Sequence, residues 1–358
     1  MASAQTKTNL CSGVHPLVSV VMPIYNASEH LADTLQTVRD QTLKEWELVA
    51  VDDGSSDSSS AVVIEHARSD PRVKLLRQAN AGVSIARNRG VAATRAPLIA
   101  FLDADDLWHP HKLHTHVELH RSDPSVGVSF AQVAFLTTAG LPSPQVAAHP
   151  TRPLQAADLL CENPTTTTSN WMLRREVFEA LGGFIAEMSH AEDLEWLLRV
   201  ACDGRWRIKP IRQVLTYYRT SESGLSAQLE QMETGWLQLI GQAQQYAPEL
   251  VKRHLATAQA LHLRYLARRS LRLQGNPVQG ADLLWRAIRS DWLALLRQPR
   301  RTLPTTMAVL ARLGLHRIRG QLRAGHCSNL AQPKAVSIAA PQLTEAQTGP
   351  LVSVVIPL

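Results

Sequence analysis

Three carboxylates stand within four residues in Asp103-Ala104-Asp105-Asp106, directly after the apolar stretch Ala96 to Ala100 and the pair Phe101-Leu102. Such a run reads as a buried strand, so the acids lie just past its carboxyl end, where ligands collect in open α/β sheets. Aspartate oxygens are hard donors suited to Mg²⁺ or Mn²⁺, which commonly hold substrate phosphates as well. The chemistry suggested is that of a metal-held diphosphate. An acidic turn capping the next helix is the plainer alternative, and for a lone Asp-x-Asp it is the commoner one.

The elements that must position these acids are legible around them. Val18 to Met22 is a valine-rich run ended by Pro23 and reads as a central strand. Asn26 and Glu29 have capping-box spacing ahead of Leu31, Leu35 and Val38, which repeat at helical intervals. Trp46 to Val51 reads as a second strand ending in Asp52-Asp53-Gly54-Ser55, followed by a helix near Ala61 to Ala67 and a third strand at Val73 to Leu76. A helix from Gly82 to Ala93, a strand from Leu98 to Leu102 and a helix opening at Pro110 and running to about His120 continue the alternation. The pattern predicts an α/β fold with a largely parallel sheet.

Beyond a strand at Val126 to Ala131, Pro142, Pro144, Pro150, Pro153 and the Thr165 to Thr168 run suggest loops over a binding face. A helix opens at Glu192, with Leu194, Leu197, Leu198 and Ala201 on one face, and Val214 to Tyr218 closes the unit as a strand.

The composition is that of a soluble globular chain, 358 residues with 45% hydrophobic content. Cys11, Cys161, Cys202 and Cys327 lack metal-site or disulfide-framework spacing. No signal peptide or spanning segment is indicated. The net charge of +6 hides an asymmetry: residues 1–250 carry 21 Lys and Arg against 28 Asp and Glu, whereas residues 251–325 carry 15 against 2. Acidic substrates, anionic headgroups or an acidic partner could answer the basic part, and nucleic acid is not indicated because no reading motif accompanies the charge.

Taken together, Pro23-Ile24-Tyr25-Asn26, Asp52-Asp53-Gly54-Ser55-Ser56-Asp57, Gly82-Val83-Ser84-Ile85-Ala86-Arg87-Asn88, Phe101 to Asp106, and Leu181-Gly182-Gly183-Phe184 followed by Glu192-Asp193 resemble the family 2 glycosyltransferases in content, order and spacing. The resemblance covers about residues 16–226. It implies the GT-A fold, a single doubly wound nucleotide-binding sheet, and an inverting, metal-dependent transfer from a nucleotide-diphosphate sugar, UDP by default with dTDP and GDP open, to a hydroxyl of a glycan or lipid-linked acceptor.

Residue by residue, the resemblance places Pro23, Tyr25 and Asn26 at the nucleobase and Asp52 at uracil. Asp53 is also in the nucleotide set, although an Asp-Gly turn and a helix cap would explain it as well. Arg87 is expected at the diphosphate or ribose, Asp103 at the ribose or the metal, and Asp105 on the Mn²⁺ or Mg²⁺ ion, with Asp106 supporting the loop. Asp193 is the candidate general base and Glu192 the fallback. The alternative for both is that they complement a helix dipole. Trp171 and Trp196 are open to stacking on a sugar or base and equally to core packing. Arg219 could meet the diphosphate; Ser221 stands where the family often has a metal- or phosphate-contacting His.

The expected organisation is a tail at 1–15, a GT-A domain at 16–228, a basic helical extension at 229–330 with breaks near Gly275-Asn276-Pro277, Pro299 and Pro304, a linker at 331–348, and residues 349–358. That last segment, Pro350 to Leu358 within it, matches Pro16 to Ile24 at 7 of 9 positions and reads as the start of a second similar domain. In the extension, Leu283, Leu284, Trp285, Trp292, Leu295 and Leu296 accompany Arg286, Arg289, Arg297, Arg300 and Arg301, a combination suited to an anionic membrane surface as well as to simple packing. The expected location is cytoplasmic, at the inner face of the membrane if that contact is made. The competing readings are a nucleotide-sugar or glycan-binding module without turnover, and a scaffold that recruits a partner through its helices.

Overall fold

The computed structural model describes residues 15–137, 139–220, 228–273 and 276–329, with side chains as far as His316. Strands β1 (Val18–Ile24), β2 (Trp46–Asp52), β3 (Val73–Arg77) and β4 (Leu98–Phe101) lie parallel in the order β3-β2-β1-β4. Helices α1 (Leu31–Arg39), α2 (Ser59–Ser69) and α3 (Val83–Ala92) form the crossovers. β2 is buried along its whole length and β1 along nearly all of it, so Val20 to Met22 and Leu48 to Val51 are unbroken apolar runs rather than alternating ones, and the buried Ser19 and Glu47 that precede them bond each other at 2.9 Å. Each such side chain taken fully out of water contributes about 1.5–3 kcal/mol. Gly90 lets α3 lie close on this sheet, because a Cβ there would stand 2.4 Å from Val21 Cγ1.

After β5 (Leu107–Trp108) and α4 (Lys112–Ser122) the chain adds β6 (Val126–Leu136), β7 (Pro142–Val146), α5 (Ala156–Cys161), a 3₁₀ turn at Thr168–Asn170, β8 (Trp171–Arg174), α6 (Arg175–Leu181), α7 (Glu192–Asp203) and β9 (Arg207–Tyr218). The sheet runs β3-β2-β1-β4-β8-β6-β9-β5, with β7 on β6. β8 is antiparallel to β4, Ala100 facing Met172, so the chain enters β8 where β4 leaves the sheet. β6 and β9 are parallel, and β5 pairs antiparallel with β9.

One apolar cluster, containing Leu31, Leu35, Val63, Leu113 and Val117, covers one face of the sheet. The other contains Leu159, Phe178, Phe184, Trp196, Leu197 and Trp236, and covers the opposite face. Trp236 comes from α8 (Leu229–Tyr246), and its Nε1 donates to Leu160 O at 3.2 Å. α9 (Pro248–Arg272) packs on α5, α8 and α10 (Pro277–Leu296). The described residues through Ala311 form one compact unit, which includes the start of α11 (Pro299–Asn329), and a second unit begins at Arg312.

Several local expectations are corrected. α1 has His30 at its N-cap, without a side-chain cap. The Asn26 carboxamide instead accepts from Ser56 N at 2.8 Å, because Asn26 takes a left-handed backbone (φ 47°) that turns it toward the next loop. α4 starts at Lys112, two residues after Pro110, whose carbonyl is tied to Thr42 N at 2.9 Å. Pro304 lies inside α11 rather than at a break, while the α8–α9 break falls at Ala247-Pro248. Ser221, the 331–348 linker and the repeat at Pro350–Leu358 lie outside the described residues.

Candidate active site

At the carboxyl ends of β1 and β2 two loops are zipped together. Asn26 N donates to Ser55 Oγ at 3.0 Å, Ala27 N to Ser59 Oγ at 2.9 Å and Ser28 N to Asp57 Oδ2 at 3.0 Å. Tyr25, at 56% exposure, and Asn26 face solvent, whereas Pro23 is half-buried within β1. Asp52 is buried; it accepts from Ser55 N at 2.9 Å and from the Ser60 hydroxyl. Burial opposes its charge, but the Ser60 and Ser55 hydrogen bonds prevail and hold the carboxyl below its ordinary value. Asp53 is also buried, and its oxygens accept from Gln78 Nε2, Ala81 N and Gly82 N at 2.7, 2.8 and 2.9 Å. It fastens the loop before α3.

The acidic loop hangs from the end of β4 and is clasped from the side by the segment entering β8. Asp103 N donates to Ser169 Oγ at 2.9 Å, and the hydroxyls of Thr167 and Thr168 donate to Asp103 Oδ2 at 3.1 and 3.2 Å. Asp106 is fully buried; it accepts from Arg219 N at 3.0 Å and Thr167 Oγ1 at 3.3 Å. Burial, then the charges of Asp105 and Asp103, push its carboxyl well above the ordinary range. The same causes push Asp105 up to about 6, burial first and Asp103 second. Arg219 Nε donates to Asp105 O at 3.1 Å, so the end of β9 closes the loop from the other side.

Arg87, expected toward the nucleotide, is 4% exposed and its guanidinium is taken up by protein. Nη1 donates to Glu192 Oε1 at 2.7 Å; Nη2 donates to Asp103 Oδ1 and Thr168 Oγ1, both at 2.8 Å. One side chain on α3 thus brackets the acidic loop and the start of α7. Its Nε is buried without a partner among the described residues.

The start of α7 is sharply aimed. Ala191, just before Glu192, sits in the left-handed region (φ 59°), which costs a non-glycine residue about 1–2 kcal/mol. Behind it, Gly235 of α8 approaches so closely that a Cβ would lie 2.6 Å from His190 Cβ and O. Asp193 is half-buried and accepts from Asn163 Nδ2 and Leu194 N, both at 2.7 Å. Burial and the neighbouring Glu192 push its carboxyl up to about 7 against the pull of Arg87. Further along α7, Glu195 holds Arg199 Nε at 2.9 Å, and Arg199 donates to the carbonyls of Leu181 and Gly183 at 2.7 Å each.

The structure therefore brings Arg87, Asp103, Glu192 and the Thr167–Ser169 hydroxyls into one bonded cluster, with Asp105 and Asp106 on the same loop as Asp103. It does not bring Trp171 or Trp196 to a ligand surface. Both are fully buried and stack on each other with centroids 6.1 Å apart, since each faces the apolar layer between sheet and helices. Sequence reasoning missed Asn163, Thr167, Thr168 and Ser169 as partners of the acids. The polar Thr run was the available signal, and it marked a loop without showing what the hydroxyls would meet.

No group of three His, Cys, Asp or Glu side chains converges on a metal-binding geometry among the described residues. The donor set still suits Mn²⁺ or Mg²⁺: two nearby carboxylates, with the charge of Asp105 disfavoured by burial and by Asp103, a penalty that a cation would relieve. Such ions take one or two carboxylates and complete their shells with phosphate and water.

The model of glycosyl transferase family 2 matches residues 19–182. The chain is 32% identical over 218 residues to a glycosyltransferase of Nostoc sp. (strain PCC 7120 / SAG 25.82 / UTEX 2576) described as uncharacterised, covering 56% of this chain and 64% of that protein. It is 40% identical over 104 residues to the UDP-Glc:alpha-D-GlcNAc-diphosphoundecaprenol beta-1,3-glucosyltransferase of Escherichia coli, covering 29% of this chain and 40% of the relative. The chain thus spans less than two thirds of these relatives' lengths. The crystal structure of a Staphylococcus aureus TarS fragment in complex with UDP-GlcNAc superposes with a TM-score of 0.51 at 16% identity, covering 79% of this chain and 91% of that one, which shows the shared fold.

Proposed function

Because residues 19–182 match the model of glycosyl transferase family 2, we propose that this chain transfers a sugar from a nucleotide-diphosphate donor to an acceptor hydroxyl with inversion at the anomeric carbon. The observation that carries the reading is the Asp193 carboxyl, raised to about 7 beside Glu192, on a helix start tied through Arg87 to the acidic loop. A general base works best with a pKa near the operating pH, and this environment supplies one. Asp193 takes the acceptor proton, and the freed oxygen attacks the sugar from the face opposite the nucleotide. Asn163 fixes the orientation of the carboxylate during that step.

On the donor side, Asp52 and the zipped loop of Tyr25, Asn26 and Ser55 form the nucleoside end, with the charge of Asp52 preserved by its serine donors. Asp103 and Asp105 would hold the divalent cation, which when bound neutralises charge on the departing diphosphate. Arg219, anchored on Asp105 O, adds a fixed positive charge beside that loop. Arg87 and Asp53 act as positioning residues, since protein groups engage both Nη atoms of Arg87 and both carboxylate oxygens of Asp53.

A UDP-sugar is the preferred donor, supported by the UDP-GlcNAc named for the TarS structure and the UDP-Glc named for the E. coli relative. The acceptor class we favour is a glycan or lipid-linked sugar, after the diphosphoundecaprenol in that relative's name. No described helix is long and apolar enough to cross a membrane. The test is Asp193→Asn: transfer should fall by about a thousandfold or more, with nucleotide affinity by calorimetry unchanged. Retained turnover would remove Asp193 from the mechanism.

A further inference from the structure

We infer that the outer face of α10, with the adjoining start of α11, docks on an anionic lipid bilayer. The inference rests on the transferase reading only for its purpose, delivery of the enzyme to a lipid-linked acceptor. Of the six apolar residues that the sequence offered for such a contact, the fold withdraws three: Leu283, Leu284 and Leu295 are buried in the cluster that α10 shares with α9. Trp285, Trp292 and Leu296 remain 56–60% exposed, joined by Ile288 at 38% and Leu293 at 48%. Leu303, Met307 and Leu310 of α11, spaced at i, i+4 and i+7, are 58–70% exposed while Val309 points inward. Large apolar side chains at that exposure, two of them Trp, are what a helix lying in a headgroup layer presents.

The charges around this face select the partner. Arg289, Arg297 and Arg300 are exposed and make none of the ion pairs found among the described residues. The two acids of α10 are engaged. Asp282 lies 3.7 Å from Arg286, and Asp291, at the kink of the helix, accepts from Thr257 Oγ1 at 2.6 Å and Ala294 N at 2.9 Å. The surface is therefore apolar with a basic border and no unengaged carboxylate on α10, which complements anionic headgroups. α9, which carries α10, also packs on α5 and α8, and these two contact α7, so a bilayer bound here is mechanically connected to the helix bearing Glu192 and Asp193.

The experiment is flotation of the full chain with phosphatidylglycerol–phosphatidylcholine vesicles and with phosphatidylcholine vesicles alone. Binding is expected to the anionic vesicles only, and to weaken with salt. The triple variant Arg289→Gln/Arg297→Gln/Arg300→Gln should lose about fivefold per arginine, and Trp285→Ser/Trp292→Ser at least about tenfold. Both variants should keep wild-type nucleotide release from the donor, since none of these residues belongs to the site. Failure of the wild-type chain to float, or flotation of either variant as well as wild type, would overturn the proposal. So would a dimer in light scattering that disappears in the tryptophan variant, because the face would then bind a second copy. Absence of donor turnover in wild type would instead strike the transferase reading and leave the vesicle result standing.

Discussion

Removal of the Arg87 guanidinium is the most informative single perturbation of this site. The group is almost wholly buried and donates at 2.7 Å to Glu192 and 2.8 Å to Asp103, whose side chains are only 10% and 28% exposed. Arg87→Met would leave two carboxylates and the Thr168 hydroxyl facing an apolar tail. Deleting one partner of a buried ion pair costs about 3–5 kcal/mol, because the remaining charge stays desolvated. Glu192→Gln is milder, about 1–3 kcal/mol, since Arg87 keeps Asp103 and Thr168. The double variant should cost less than the sum, with a coupling energy of about 1–3 kcal/mol. Urea unfolding of the four proteins at pH 7.5 and low salt measures each term. If Arg87→Met costs less than about 1 kcal/mol, as an exposed pair would, or the cycle shows no coupling, the bracket between the acidic loop and α7 is not the structural element described above.

Three further outcomes follow from the same geometry. Turnover should rise with pH through an ionisation near 7, the raised value of Asp193, and Glu192→Gln should move that limb to lower pH, because the Glu192 charge is the second cause of the elevation. A limb that stays in place in the variant would refute the assignment. By linkage, a carboxyl raised in the folded state favours folding fully below its unfolded value and loses that contribution as pH rises through 7, so Asp193→Asn should gain stability relative to wild type between pH 6 and 8 in chemical denaturation. Gly235→Ala should destabilise by about 1–3 kcal/mol and reduce transfer, since the added methyl meets the His190 backbone and must shift the turn that aims α7; wild-type activity with wild-type stability would show the approach to be looser.

The parallel half of the fold was legible because β1, β2 and β4 are buried on both faces, which leaves unbroken apolar runs in the sequence. The acids at their ends were legible for the same reason, since each follows directly on such a run. The Asn26–Glu29 spacing misled because the Asn26 carboxamide bonds across to Ser56, a contact 30 residues away that no local pattern carries. Arg87 misled in the same manner: its partner Glu192 lies 105 residues on, and an arginine near a diphosphate site looks the same in sequence whether it meets ligand or protein. Trp171 and Trp196 could not be placed, because an aromatic in a core and one on a sugar platform have the same local signature. The closeness of α8 to the turn before α7 was also hidden, since Gly235 reads as a weak point in a helix until His190 is seen against it.

The direction of β8 has a further consequence. Because β8 runs opposite to β4, the backbone ladder between them fixes where Thr167, Thr168 and Ser169 emerge, whatever path the chain takes from β6 to reach that point. The intervening stretch through β7 and α5 is relieved of any duty to hold the acidic loop in place. Insertions or deletions between β7 and α5 would therefore leave the clasp on Asp103 where it is, a setting built into strand polarity alone.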